Sequence, residues 1–237
     1  MRKLLFVLLL APAMALASGG DVHLDKAPVD LGNKASLQRG AETFVTYCLN
    51  CHSAAYMRYN RLQDIGLTEE QIKAKYMFAA EKTGETMNVA MSKKEAKEWF
   101  GATPLDLSVI ARARGADWLY TYLRTFYRDE TRPTGWNNLV FDKVGMPHIL
   151  YQFQGEQVMQ HAEGKGEHAG KLVLAKPGTL KPAEYDAMVG DLVNYLVFMG
   201  EPVRQTRQNL GWIVLAFLGV FFVVSYALYK EYWKDIH

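Results

Sequence analysis

Cys48, Cys51 and His52 spell Cys-Leu-Asn-Cys-His and hold the only 2 cysteines of the 237-residue chain. A cysteine pair followed at once by histidine is the attachment signature of a c-type haem: the thiols add to the vinyl groups as thioethers, and the adjoining imidazole can bind the iron. A chain built on this motif must wall in a flat macrocycle pinned at one point. The competing readings of the motif are weaker. A zinc site needs about four Cys or His ligands, and no second cysteine pair exists. A thioredoxin-like dithiol wants a βαβ context that the flanking residues do not offer. A disulfide here would close a short loop of little value. The motif predicts one covalently bound haem c, with Cys48, Cys51 and His52 holding it, His52 as a metal ligand, and electron carriage as its use.

Both ends of the chain point to a membrane. Arg2 and Lys3 precede the apolar run Leu4–Leu10, and Ala15-Leu16-Ala17 supplies a small-x-small cleavage pattern, so residues 1–17 read as an export signal that is removed. Export agrees with the motif, because thioether attachment needs reduced thiols outside the cytoplasm. Residues 210–229 contain no charge, and at about 1.5 Å per residue they reach about 30 Å, the thickness of a hydrocarbon core. Trp212, Tyr226, Tyr229, Tyr232 and Trp233 lie near its two ends, as interfacial aromatics do. The organisation expected is an export signal over 1–17, an exported haem domain over 18–208, a transmembrane anchor over 209–230 and a cytoplasmic tail over 231–237. Removing Arg2 and Lys3 from the 27 basic residues brings them level with the 25 acidic ones. Nothing then argues for nucleic acid, and docking depends on local patches.

Between the ends, helical patterning is common and strand alternation scarce, so the fold class is expected to be mainly α. A helix over 35–47 presents Leu37, Gly40, Phe44 and Tyr47 on one face and delivers Cys48. A second, over 186–199, is apolar along Val189, Leu192, Val193, Leu196 and Val197, and ends at Gly200 and Pro202. Gly40 permits close approach, and the two helices are expected to cross with Gly40 and Phe44 near Tyr195. Shorter helices are predicted over 68–76, capped by Thr68, over 92–100, capped by Ser92 with Glu95 at the capping-box position, and over 117–127. Residues 155–170 are polar and read as a surface loop, with His161 and His168 as solvated residues. Glu156, Glu163 and Glu167 in it offer a weak acidic docking patch.

A low-spin carrier needs a second axial ligand, and methionine raises the potential relative to histidine. Met1 and Met14 lie in the signal, Met57 is too close to His52, and packing explains Met77, Met87, Met91, Met188 and Met199. Met146 stands between Gly145 and Pro147 on a constrained loop, placed to strap the far face. His148 is the nearest alternative donor. Haem propionates need cationic partners, and Arg112 followed by Arg114 are the candidates, since a guanidinium can fork two bonds to one carboxylate. Trp99, Phe100, Tyr120 and Tyr122 are candidate pocket walls.

These parts, in this order, resemble the cytochrome c1 family across nearly the whole mature chain. The likeness rests on Cys48–His52, on Pro104–Ser108 followed by Ala111-Arg-Ala-Arg-Gly115, on Gly145-Met146-Pro147, and on Tyr195 with Gly200-Glu201-Pro202 before a single anchor. It is strongest to proteobacterial members. The resemblance implies a class I cytochrome c-like haem domain with long inserts, plus one C-terminal transmembrane helix. It implies His52 and Met146 as axial ligands, with Arg112 near a propionate. It also implies cytochrome b, a Rieske iron–sulfur protein and a soluble or membrane-bound cytochrome c acceptor as partners, in a dimeric complex of the bacterial inner membrane. The haem domain would face the periplasm, and the quinol chemistry would belong to other subunits. Two departures stand out. Leu105 replaces a second proline common in the family, and no cysteine remains for the disulfide that some members carry near the ligand loop. The rival readings are a haem peroxidase, a stand-alone anchored cytochrome or terminal-oxidase haem subunit, and a tethered structural domain.

Overall fold

The computed structural model describes residues 22–89, 91–161 and 170–235. The export signal read over 1–17 lies outside them, as do Glu163, Glu167 and His168. The chain divides into two compact units, one comprising Pro28–Ala116 with Asp186–His237, the other the segment up to Ala27 with Asp117–Tyr185.

In the first unit, helix α1 (Lys34–Thr43) starts at Asn33, whose side chain accepts from the Ser36 amide. It runs without a break into a π-helical turn, Phe44–Cys48, closed by the Leu49 amide on the Phe44 carbonyl at 3.0 Å. Sequence periodicity foresaw the helix but not the widened turn, a feature frequent at functional sites. Most of helix α7 (Pro182–Gly200) belongs to this unit and crosses α1 as expected. A Cβ on Gly40 would overlap the Asp191 carbonyl and come within 2.8 Å of Tyr195 Cβ. The Phe44 and Tyr195 rings lie 5.5 Å apart, both fully buried. Each buried side chain of this size is worth about 1.5–3 kcal/mol over leaving it in water. The same face is pinned by polar ties. Arg39 grips Asp191 with bonds of 2.6 and 3.1 Å, and Asn194 exchanges hydrogen bonds with the Asp30 backbone while also donating to Ser36.

The long insert between motif and second half is short-range structure: strand β1 (Ala54–Arg58) paired with β2 (Thr86–Met87), a 3-10 helix (Tyr59–Ile65), and helices α2 (Glu69–Lys75) and α3 (Lys93–Phe100). The predicted caps form. Thr68 and Gln71 make a reciprocal capping box on α2, and the Ser92 hydroxyl accepts from the Glu95 amide at the start of α3. The short helix α4 (Ile110–Arg114) carries Arg112 and Arg114. Helix α8 (Arg204–Tyr232) contains the expected anchor: it is long and apolar enough to cross a membrane, and none of its apolar stretch is buried. Its 29 residues extend about 43 Å.

The second unit begins with helix α5 (Ala116–Arg124), three residues shorter than predicted at its end. Phe126–Arg128 leaves the helix as strand β3 and pairs antiparallel with β4 (Trp136–Asn138), because aromatic residues favour a pleated surface. The irregular ligand loop follows, then the short helix α6 (Tyr151–Gln154). The polar stretch read as a loop is corrected: Gly155–His161 is strand β5, paired with β6 (Gly170–Pro177). Its glutamines obscured the strand. Gln157 instead uses its amide to cap the carbonyls of Arg124 and Phe126, both at 2.9 Å.

Candidate haem site

The π-helical turn and the tight turn after it set the attachment motif. The Cys51 and His52 amides both bond the Cys48 carbonyl, at 3.1 and 2.9 Å, which folds the two thiols and the imidazole into one turn. Both cysteines are free thiols. Burial, helped by the neighbouring Cys51, pushes the Cys48 thiol up to about 12, and burial also raises Cys51. A working redox dithiol is lowered rather than raised, so these shifts lend the thioredoxin-like reading no support.

His52 is oriented by a residue that sequence reasoning missed. Its Nδ1 lies 2.7 Å from the Leu105 carbonyl oxygen, which can only accept, so Nδ1 carries the proton and Nε2 is left with its lone pair for a metal. Burial lowers the imidazole below its usual range, partly offset by the Leu105 bond and by Asp106. Leu105 is itself held. The Leu107 amide bonds the Ser53 carbonyl at 2.8 Å, the Ala55 amide donates to Asp106 at 2.9 Å, and the Tyr56 amide donates to the Ser108 hydroxyl at 3.0 Å. Burial pulls the Asp106 carboxyl upward, but the bonds from Ser108 and Ala55 outweigh it and leave the group ionised below its ordinary value. The only legible signal for this support was the Pro104–Ser108 stretch itself.

Arg112 and Arg114 are exposed on α4, in the same unit as the motif. The Arg112 stem passes close to Gly200, and its charge helps lower the Glu201 carboxyl after the larger effect of Arg207, which bonds that group. Trp99 and Phe100 are 63% and 38% exposed on α3. Tyr120 and Tyr122 are buried, in the other unit.

Met146 lies in that other unit, on the irregular loop, half-buried, with the Tyr122 hydroxyl 3.5 Å from its sulfur. His148, the alternative donor, is buried in an aromatic slot. Its ring stacks on Phe126 at 4.9 Å and meets the Trp136 edge at 5.0 Å. Its Nε2 is buried without a partner, and burial drives its pKa down to about 4.

The donors of the first unit fit a haem: one imidazole is aimed through its Nδ1 hydrogen bond, and two free thiols stand in the same turn. Leu105 and Val109, in the same unit, leave apolar side chains in water. Burial in water-free contact with a macrocycle would stabilise them.

The acidic patch is reduced. Glu156 pairs with Arg128 at 2.9 Å and Lys176 at 3.1 Å, and these partners pull its carboxyl down to about 2. Two cations stand against this one carboxylate, so the cluster carries a net positive charge.

The profile of the Cytochrome C1 family matches residues 25–236, and the chain belongs to that family, which implies a haem cofactor. An ammonia monooxygenase gamma subunit of Nitrosomonas europaea is 56% identical over 236 residues, covering 100% of this chain and 98% of that one. Cytochrome c1 of Allochromatium vinosum is 49% identical over 244 residues, covering 100% of both chains. A chain of a hyperthermophilic respiratory Complex III aligns over 100% of both chains at 17% identity and a TM-score of 0.43, too slight a likeness to add to the assignment.

Proposed function

We propose that this chain is the haem-bearing electron carrier of a quinol–cytochrome c reductase, taking electrons from a Rieske iron–sulfur protein and passing them to a soluble or membrane-bound cytochrome c. The observation that carries the reading is the Cys48–His52 turn with its imidazole aimed by the Leu105 carbonyl. Cys48 and Cys51 would hold one haem covalently, and His52 Nε2 and Met146 Sδ would be its iron ligands. The bound haem supplies a one-electron ferric–ferrous couple. With both residues on the metal, small molecules would be kept from it and only electrons would pass. Arg112, and after it Arg114, would neutralise the propionates. Removal of residues 1–17 and anchoring by α8 leave the haem domain in the periplasm of a bacterial inner membrane, beside cytochrome b in a dimeric assembly.

A second reading rests on the 56% identical relative described as an ammonia monooxygenase gamma subunit: this chain would then serve a monooxygenase assembly. Purification in mild detergent with subunit identification separates the two. Cytochrome b and an iron–sulfur protein are expected to travel with the chain, and quinol is expected to reduce its haem within that complex. Recovery with monooxygenase subunits, or alone, would overturn the first reading.

A further inference from the structure

We infer that Tyr122 and Asn138 form a noncovalent clamp on the Met146 loop, in which the Tyr122 hydroxyl donates to the ligand sulfur and Asn138 fixes the loop that carries it. The inference rests on the reading of Met146 as an axial ligand.

Both ends of Tyr122 face the loop system. Its hydroxyl reaches Met146 Sδ at 3.5 Å, and its carbonyl accepts from Asn138 Nδ2 at 2.7 Å. Asn138 is 1% exposed, and its Oδ1 accepts from the Val140 and Phe141 amides at 2.9 and 3.2 Å, the first turn of the ligand loop. Its neighbour Asn137 continues the pattern. Asn137 Oδ1 accepts from the Asn138 and Lys143 amides, both at 2.9 Å, while its Nδ2 donates to Asp129 and Asp142, both at 3.0 Å. A buried amide with its donors and acceptor engaged is costly to disturb, because any lost partner leaves a desolvated polar group. At the far end of the loop, His148 sits in its slot between Phe126 and Trp136. Since Cys48 and Cys51 are the only cysteines, no disulfide can fasten this loop, and side-chain hydrogen bonds take that task.

The hydroxyl has an electronic consequence. A hydrogen bond to the thioether withdraws charge from the lone pair that binds iron. Ferric iron depends on that donation more than ferrous iron, so the bond favours the reduced state and raises the potential. Sulfur is a weak acceptor, so the effect is small. Tyr122 is a positioning residue, acting through Met146.

The test uses the full chain in its detergent-solubilised assembly. Tyr122→Phe is expected to keep the sulfur-to-iron charge-transfer band of the oxidised haem but displace it. The reduction equilibrium is expected to shift roughly threefold toward the ferric form, about 30 mV for one electron. Asn138→Asp keeps an acceptor but loses the donor to Tyr122. It is expected to let the reduced protein bind carbon monoxide, which the parent protein excludes. A Tyr122→Phe protein with unchanged band and potential overturns the hydroxyl's part, and an Asn138→Asp protein that still excludes carbon monoxide overturns the clamp. If Asn138→Asp does not accumulate, Tyr122→Phe alone decides. Met146→Leu separates the two levels of inference. A band that survives this change sinks the ligand assignment, whereas its loss beside an unaltered Tyr122→Phe protein sinks the clamp alone.

Discussion

Met146→Leu is expected to leave haem attached to the polypeptide while lowering its midpoint potential by on the order of 0.1–0.3 V, a fraction of the roughly 0.8 V that axial ligands span. Attachment survives because the thioethers form at Cys48 and Cys51, which belong to the other unit and are not altered. The potential falls because a thioether stabilises ferrous iron relative to ferric, and leucine offers no donor in its place. Leucine is close to methionine in volume, so the packing around Tyr122 changes little. Redox titration and carbon monoxide binding by the reduced protein read the two consequences together. An unchanged potential would remove Met146 from the iron and turn attention to His148, whose buried Nε2 has no other partner.

The second large effect is structural. Gly40→Val is expected to destabilise the chain by about 3 kcal/mol or more, at the upper end of what overpacking costs. The atoms that a Cβ would meet are the Asp191 carbonyl carbon at 2.7 Å, its oxygen closer still, and Tyr195 Cβ at 2.8 Å. Backbone atoms cannot rotate away, so α1 and α7 must part, breaking the Phe44–Tyr195 contact and stretching the Arg39–Asp191 bonds. For a chain of this size the loss corresponds to a fall of about 6–12 °C in Tm. Because α1 runs directly into the turn bearing Cys48, the yield of haem-loaded protein should fall as well. Thermal unfolding followed by circular dichroism, with haem content per protein, checks both. A parent-like Tm would mean that the helices accommodate the side chain and that the close crossing has no energetic weight.

What the sequence disclosed and what it hid divide along a physical line. The Cys48–His52 motif, the caps at Thr68 and Ser92, the apolar face that meets Gly40 and the uncharged stretch within α8 are all local patterns, and each was readable. The Leu105 carbonyl that orients His52 is a backbone atom supplied 53 residues away, and no residue type advertises it. Asn137 and Asn138 read as turn residues; only the paired strands β3 and β4 turn their amides into the loop's anchor. Strand β5 was hidden because its glutamines break the alternation that marks a half-buried strand. Glu156 looked like an exposed docking charge, but Arg128 and Lys176 come to it from two other strands.

The most direct measurement is a pyridine haemochrome spectrum of the exported protein after denaturation and acid–acetone extraction. Two thioether links through Cys48 and Cys51 predict one haem per polypeptide, retained in the protein fraction with the spectrum of a doubly attached macrocycle. Haem that washes into the acetone, or a colourless protein, would contradict the account.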